Sequence, residues 1–168
     1  MKFGLFFQTP EAPGQSHGER YAEMLDLIAL ADSLGFDVAW LAELHFGGAF
    51  SLLSSPLMAV PVIAQRTRRI RIGTAVTLLP LHHPLACAEQ AAVADVLSGG
   101  RLEFGVGRGS IPSQFHGFRV PVAENRARFD EPGGKRDGPY KQGGAGRQRA
   151  KTRGVTPGNL AQGGADQQ

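Results

Sequence analysis

Cysteine is nearly absent. Cys87 is the only one in 168 residues, so the chain forms no internal disulfide and no cysteine-rich metal cluster. It sits within a helical apolar pattern, where a thiol is an inert core residue. Long hydrophobic runs are missing too: no stretch approaches the roughly 18 apolar residues of a membrane span. The N-terminus, Met1-Lys-Phe-Gly-Leu-Phe-Phe-Gln8, lacks the apolar run and small-residue cleavage site of a secretory signal. These absences predict a cytoplasmic protein. A phosphate-binding P-loop is excluded because no lysine follows the required glycine spacing. Gly105-Val-Gly107 lacks a third glycine and follows the fourth expected strand rather than the first, which excludes a dinucleotide fingerprint.

Charge is scarce where the chain is apolar and concentrated where it is not. Residues 132–168 hold seven Lys/Arg against two Asp, while the whole chain carries only +3. The part before residue 132 is therefore slightly acidic, and nothing in it argues for nucleic-acid binding. The same last 37 residues contain ten Gly and no Ile, Phe, Met or Trp. Such a composition cannot bury enough surface to offset its ordering entropy. It predicts a disordered basic tail after an N-terminal domain over 1–131. The tail resembles out-of-frame translation of a GC-rich gene.

What is present is a regular alternation. Residues 2–8 form a Phe-rich apolar run that ends at Thr9-Pro10, the pattern of a buried strand. From Glu19, the residues Tyr21, Met24, Leu25, Ile28, Ala31 and Leu34 recur at helical spacing, with Gly35 placed as a C-terminal cap. Phe36–Ala42 reads as a second strand. A second helix pattern opens at Pro56, with its true start expected nearer Pro61, since proline is awkward inside a helix. Ile70–Leu79 is a third strand, Pro84–Leu97 a third helix, and Leu102–Val106 a fourth strand. Residues 110–131 are mixed, with Phe115, Phe118, Val120 and Phe129 as apolar anchors. Strands alternating with helices imply a parallel α/β sheet. The alternation begins either an open doubly wound sheet or a (β/α)₈ barrel.

The candidate chemistry lies just past the strands. Glu43 and His45 follow strand two, and on an extended backbone residues i and i+2 share a face. A carboxylate beside an imidazole fixes its tautomer and raises its basicity. A hydrogen-bonded loop histidine beside a solvated glutamate fits the same spacing. His82 and His83 are adjacent, so they do not share a face, and no third residue stands at zinc-ligand spacing. Thr74 and Ala75 bring small side chains to the end of strand three, where a flat ligand could lie on the backbone. Gly107-Arg108-Gly109 is a glycine turn carrying a guanidinium suited to phosphate or carboxylate.

Several of these stretches occur in one order in a known family. They are Ala31-Asp-Ser-Leu-Gly-Phe-Asp37, Trp40-Leu-Ala-Glu-Leu-His-Phe46, Arg68-Arg-Ile-Arg-Ile-Gly-Thr-Ala-Val76, His83-Pro84 and Ser98-Gly-Gly-Arg-Leu-Glu-Phe-Gly-Val-Gly-Arg-Gly109. Over residues 1–131 the chain resembles the bacterial luciferase-like flavin monooxygenases. The resemblance implies a (β/α)₈ TIM barrel, of which this chain holds the first four β/α units. It implies reduced FMN, or in sister enzymes F420, as cofactor. It implies oxygenation of a small organic substrate with O₂, reduced flavin coming from a separate reductase. His45 takes the second histidine of the family's Glu-His-His-Phe, with Leu44 in place of the first. Thr74 and Ala75 match the strand-three end that lies along the flavin ring, often through a non-prolyl cis peptide. Arg108, between Gly107 and Gly109, matches the arginine near the cofactor phosphate. Two other outcomes fit the same residues: F420-dependent hydride transfer, and a non-catalytic flavin-binding fragment. Half a barrel also leaves open edges that a homodimer would cover.

Overall fold

Four short apolar runs pair side by side, all pointing the same way. In the computed structural model, which describes residues 1–133, these are β1 (Gly4–Phe7), β2 (Val38–Leu41), β3 (Arg71–Thr74) and β5 (Leu102–Glu103). Their order in the sheet is β1-β2-β3-β5, and every pairing is parallel. Two further strands, β4 (Thr77–Leu78) and β6 (Val106–Gly107), form a second parallel pair. The helices are α1 (His17–Leu34), α2 (Pro56–Arg66), α3 (Pro84–Leu97), α4 (Pro112–Gly117) and α5 (Asn125–Gly133). The alternation is that of an α/β barrel wall. The tail expected over 132–168 lies outside the described residues apart from the last turn of α5. No described helix is long and apolar enough to cross a membrane.

Alternation along the strands decides which face is core. Ala39 and Leu41 on β2 and Ile72 on β3 are fully buried against α1, α2 and α3, together with Ile28, Val60 and Ile63. The other face carries a row of register partners, Phe6, Trp40, Gly73 and Glu103. Trp40 lies over Gly73, where any side chain would strike its ring. Glu103 on that face pairs with Arg71.

The structure corrects four boundaries. Helix α1 begins two residues before the expected Glu19, because Ser16 is its N-cap. The Ser16 hydroxyl accepts from Glu19 N at 3.2 Å, and the Glu19 carboxylate accepts from Ser16 N at 2.6 Å, a reciprocal capping box. Helix α2 starts at Pro56, not near Pro61, and carries Pro61 inside it. Its first turn needs no donor from Pro56, and burial of Val60 and Ile63 outweighs the bond lost at Pro61. The expected strand Ile70–Leu79 is two strands separated by a cis Ala75–Val76 peptide bond, followed by a 3₁₀ turn over Leu79–Leu81. The expected strand Leu102–Val106 is likewise divided, into β5 and β6.

These last two breaks are matched. At the break the Thr74 hydroxyl replaces the sheet ladder: it donates to Gly105 O at 2.7 Å and accepts from Gly105 N at 3.0 Å. Thr77 N then donates to Gly105 O at 2.9 Å, and Ala75 N to Leu41 O at 2.8 Å. A Cβ on residue 105 would collide with the Thr74 carbonyl oxygen. The approach is therefore open only to glycine.

Candidate active site

Parallel pairing brings the C-terminal ends of all the strands to one edge, and the sequence candidates lie along it. Glu43 is the buried charge among them, with a side chain 1% exposed. Its Oε1 stands 2.8 Å from His45 Nε2 and 2.8 Å from His82 Nε2, while Oε2 accepts from Leu78 N at 3.2 Å. Glu43 and His45 come from the loop after β2. Leu78 and His82 come from the segment that follows the cis peptide. The expected Glu43–His45 pair is thus formed and extended by an imidazole from a segment 39 residues away.

Burial alone would raise the Glu43 pKa. The bonds from His45 and His82, the charge of His82 and the Leu78 N–H outweigh it, so the carboxyl titrates below its ordinary value. It is ionised at neutral pH. Cys87 on α3 responds in the opposite sense: burial, then the Glu43 charge, push its thiol up to about 11. That thiol is neutral and unreactive at neutral pH, as the sequence reading expected.

The three heteroatoms of Glu43, His45 and His82 lie within 4.8 Å of one another, close enough to raise the question of a cation. Tetrahedral zinc with ligands at about 2.0–2.1 Å holds them about 3.3 Å apart. The 2.8 Å separations here are those of charge-assisted hydrogen bonds. Hydrogen bonding accounts for the cluster.

His45 is held from the other side as well. The Phe118 ring meets it edge-on, 4.7 Å between centroids, and Phe46 lies 6.1 Å away. Phe46 has φ 57°, uncommon for a bulky residue, and its ring packs where a side chain on Gly117 of α4 would sit. Residues 110–131, read as mixed, therefore supply helix α4, whose C-terminal end at Gly117 and Phe118 closes over this histidine.

The other candidates fall along the same edge with different roles. Thr74 is fully buried, and its hydroxyl is committed to Gly105, so only its backbone faces the edge. Ala75 and Val76 are half-buried. Gly107 lies against Val76, and Gly109 takes φ 72°. Asn125 of α5 donates from Nδ2 to Gly109 O at 3.2 Å, which ties the loop down. Arg108 between them is exposed and has no hydrogen-bond or ion-pair partner among the described residues. An unpaired guanidinium on a fixed glycine loop fits an anionic group such as a phosphate.

Sequence reasoning left His82 among the undecided histidines, because nothing in Pro80-Leu-His-His-Pro84 tells which imidazole turns inward. It also excluded a serine-nucleophile elbow, although Gly14-Gln-Ser-His-Gly18 has that spacing. The structure gives that serine a different task. Ser16 is the exposed cap of α1 and its hydroxyl contacts Glu19, with no imidazole bonded to it among the described residues.

The chain matches the family model described as luciferase-like monooxygenase over residues 1–132. It is 39% identical over 131 residues to 4-hydroxyprotoasukamycin monooxygenase of Streptomyces nodosus subsp. asukaensis, covering 78% of this chain and 35% of that one. The monooxygenase RslO1 of Streptomyces bottropensis superposes with a TM-score of 0.74 at 38% identity, over 79% of this chain and 40% of the other. The oxygenating component of 3,6-diketocamphane monooxygenase from Pseudomonas putida, solved in complex with FMN, shares the fold. Its TM-score is 0.73 at 23% identity, covering 79% of this chain and 37% of its own. The chain spans little more than a third of the length of these proteins.

Proposed function

Because the chain belongs to the luciferase-like monooxygenases, we propose that it carries the cofactor-holding edge of a flavin-dependent enzyme that oxygenates a small organic molecule with reduced FMN and O₂. The observation that carries this reading is Arg108: an exposed cation without a partner among the described residues, set between Gly107 and Gly109, on the same edge as a buried carboxylate–imidazole cluster. Arg108 and the backbone of the glycine loop would hold the FMN phosphate. The backbone of Thr74 and Ala75 would lie against the ring system. When bound, reduced FMN supplies the two electrons with which O₂ gives one oxygen to the substrate and the other to water. The oxidised flavin then needs a separate reductase.

The chain's own residues manage protons and water. Glu43, ionised and buried, accepts an N–H from His45 Nε2, which leaves the lone pair on Nδ1 of the neutral ring to take a proton and then return it. Phe46 and Phe118 cover the imidazole and exclude water from it. The test is FMN binding to the full chain by fluorescence quenching. Saturable micromolar binding is expected. Arg108→Ala should weaken it by about tenfold or more, since a charge-assisted bond is worth about 1.5–3 kcal/mol. Quenching that does not saturate, or that Arg108→Ala leaves unchanged, would refute the assignment. Saturable binding of F420 with none of FMN would replace oxygenation by hydride transfer.

A further inference from the structure

Glu43 receives more support than one histidine requires, and the surplus comes from His82. We infer that His82 is a positioning residue: it clamps Glu43 so that the carboxylate holds His45 in a single tautomer, protonated at Nε2 and open at Nδ1. This rests on the reading of the strand edge as an active site, and it assigns that site a member that the sequence left undecided.

The argument begins with donors and acceptors. An ionised carboxylate only accepts, so both imidazoles that contact Oε1 at 2.8 Å must present an N–H there. In each neutral ring the proton is then on Nε2 and the lone pair on Nδ1. The remaining oxygen, Oε2, has one weaker partner, Leu78 N at 3.2 Å. Remove His82, and the carboxylate keeps His45 at one oxygen and this long bond at the other. Little would then stop it turning about its own axis.

The chain placement makes His82 suited to prevent that turn. His82 N donates to Leu79 O at 3.1 Å, so the 3₁₀ turn fixes its backbone, and Pro84 follows two residues later as the first residue of α3. Glu43 approaches from the β2 loop, so its carboxylate joins segments 35 and 39 residues apart in the chain. His82 is also the more open imidazole, with its side chain 27% exposed against 9% for His45. A partly exposed residue that completes a fully buried carboxylate acts through that carboxylate, and among the described residues His45 is the only other side chain hydrogen-bonded to it.

The experiment reads tautomers directly, by long-range ¹H–¹⁵N correlation on the full chain labelled at histidine nitrogen, at a pH where the rings are neutral. In the wild type, His45 should show one tautomer, Nε2–H. In His82→Leu its two nitrogen signals should move together toward the average of a mixture. His82→Gln, whose amide can donate to Oε1, should restore the wild-type pattern. His82→Asn, of similar polarity but too short to reach, should behave like the leucine variant. If the leucine variant does not fold, the Asn and Gln pair carries the comparison. An unchanged single His45 tautomer in folded His82→Leu or His82→Asn would overturn the inference, and so would a mixture in the wild type. No flavin is needed for this readout. Failure of FMN binding alone would therefore sink the functional reading and leave the tautomer result standing.

Discussion

Glu43 concentrates the residue-scale physics of this protein: a charge removed from water and sustained by three donors. Its folded-state pKa is depressed, so it contributes stability in full above the unfolded value of about 4.3 and loses it as pH falls through the lower folded value. Asp32 works in the same direction. Burial opposes its charge, but the N–H groups of Arg68, Arg69 and Ile70 overcome this and lower its pKa. Acid should therefore destabilise the wild type through both groups. Glu43→Gln separates them. An amide must turn its NH2 either toward the Leu78 N–H or toward the two imidazole N–H groups, which should cost about 1–3 kcal/mol at neutral pH. The gap between the two proteins should narrow as pH falls from the unfolded value of about 4.3 through the lower folded value, because the wild-type carboxyl then becomes neutral as well. Urea denaturation at neutral and acidic pH measures this. A gap that stays constant with pH would mean that the Glu43 charge does not contribute to stability.

At the scale of elements, the divided strands position everything else. The β3–β4 break and the β5–β6 break face each other across one contact, the Thr74 hydroxyl against the Gly105 backbone. Gly105→Ala should force the two breaks apart, because its Cβ meets the Thr74 carbonyl rather than a yielding side chain. Overpacking of this kind costs about 1–3 kcal/mol. Since β6 leads straight into Arg108, the same variant should lose FMN binding along with stability. A Gly105→Ala protein as stable as the wild type, binding FMN normally, would show that the breaks do not depend on each other.

The sequence displayed these strands well and their interruptions badly, for a physical reason. Hydrophobic periodicity reports burial, and burial continues through Thr77 and Leu78, so Ile70–Leu79 reads as one strand. The change of direction at Ala75–Val76 leaves no periodic trace, and only the family resemblance pointed to it. The start of α1 was legible in Ser16-x-x-Glu19 and was overlooked. Glu43 and His45 were visible because they are two residues apart. Their partner His82 was not, because only the folded sheet brings it near. Arg108 stands out as a candidate by its flanking glycines alone.

For the whole molecule, the decisive fact is apolar surface that the described elements do not cover. Strand β1 ends the sheet with no neighbour beyond it among the described residues, and Phe6 on its inner face is 57% exposed. Helix α1 is apolar on two sides. Met24, Ile28 and Ala31 are buried, while Leu27, Leu30 and Leu34 form an exposed stripe at helical spacing, 49%, 53% and 68% accessible. A contiguous apolar stripe beside an open edge strand favours association, and each of these leucines stands to gain about 1 kcal/mol or more on burial. The full chain should therefore sediment as a mixture whose average mass rises with concentration. Replacing Leu27, Leu30 and Leu34 together by Gln should shift the mixture toward monomer. That change should leave folding intact, since none of the three belongs to the buried cluster. A wild type that sediments as monomer at every concentration would overturn the association prediction. Association that the triple variant leaves untouched would move the interface from α1 to the inner face, where Phe6 and Trp40 lie.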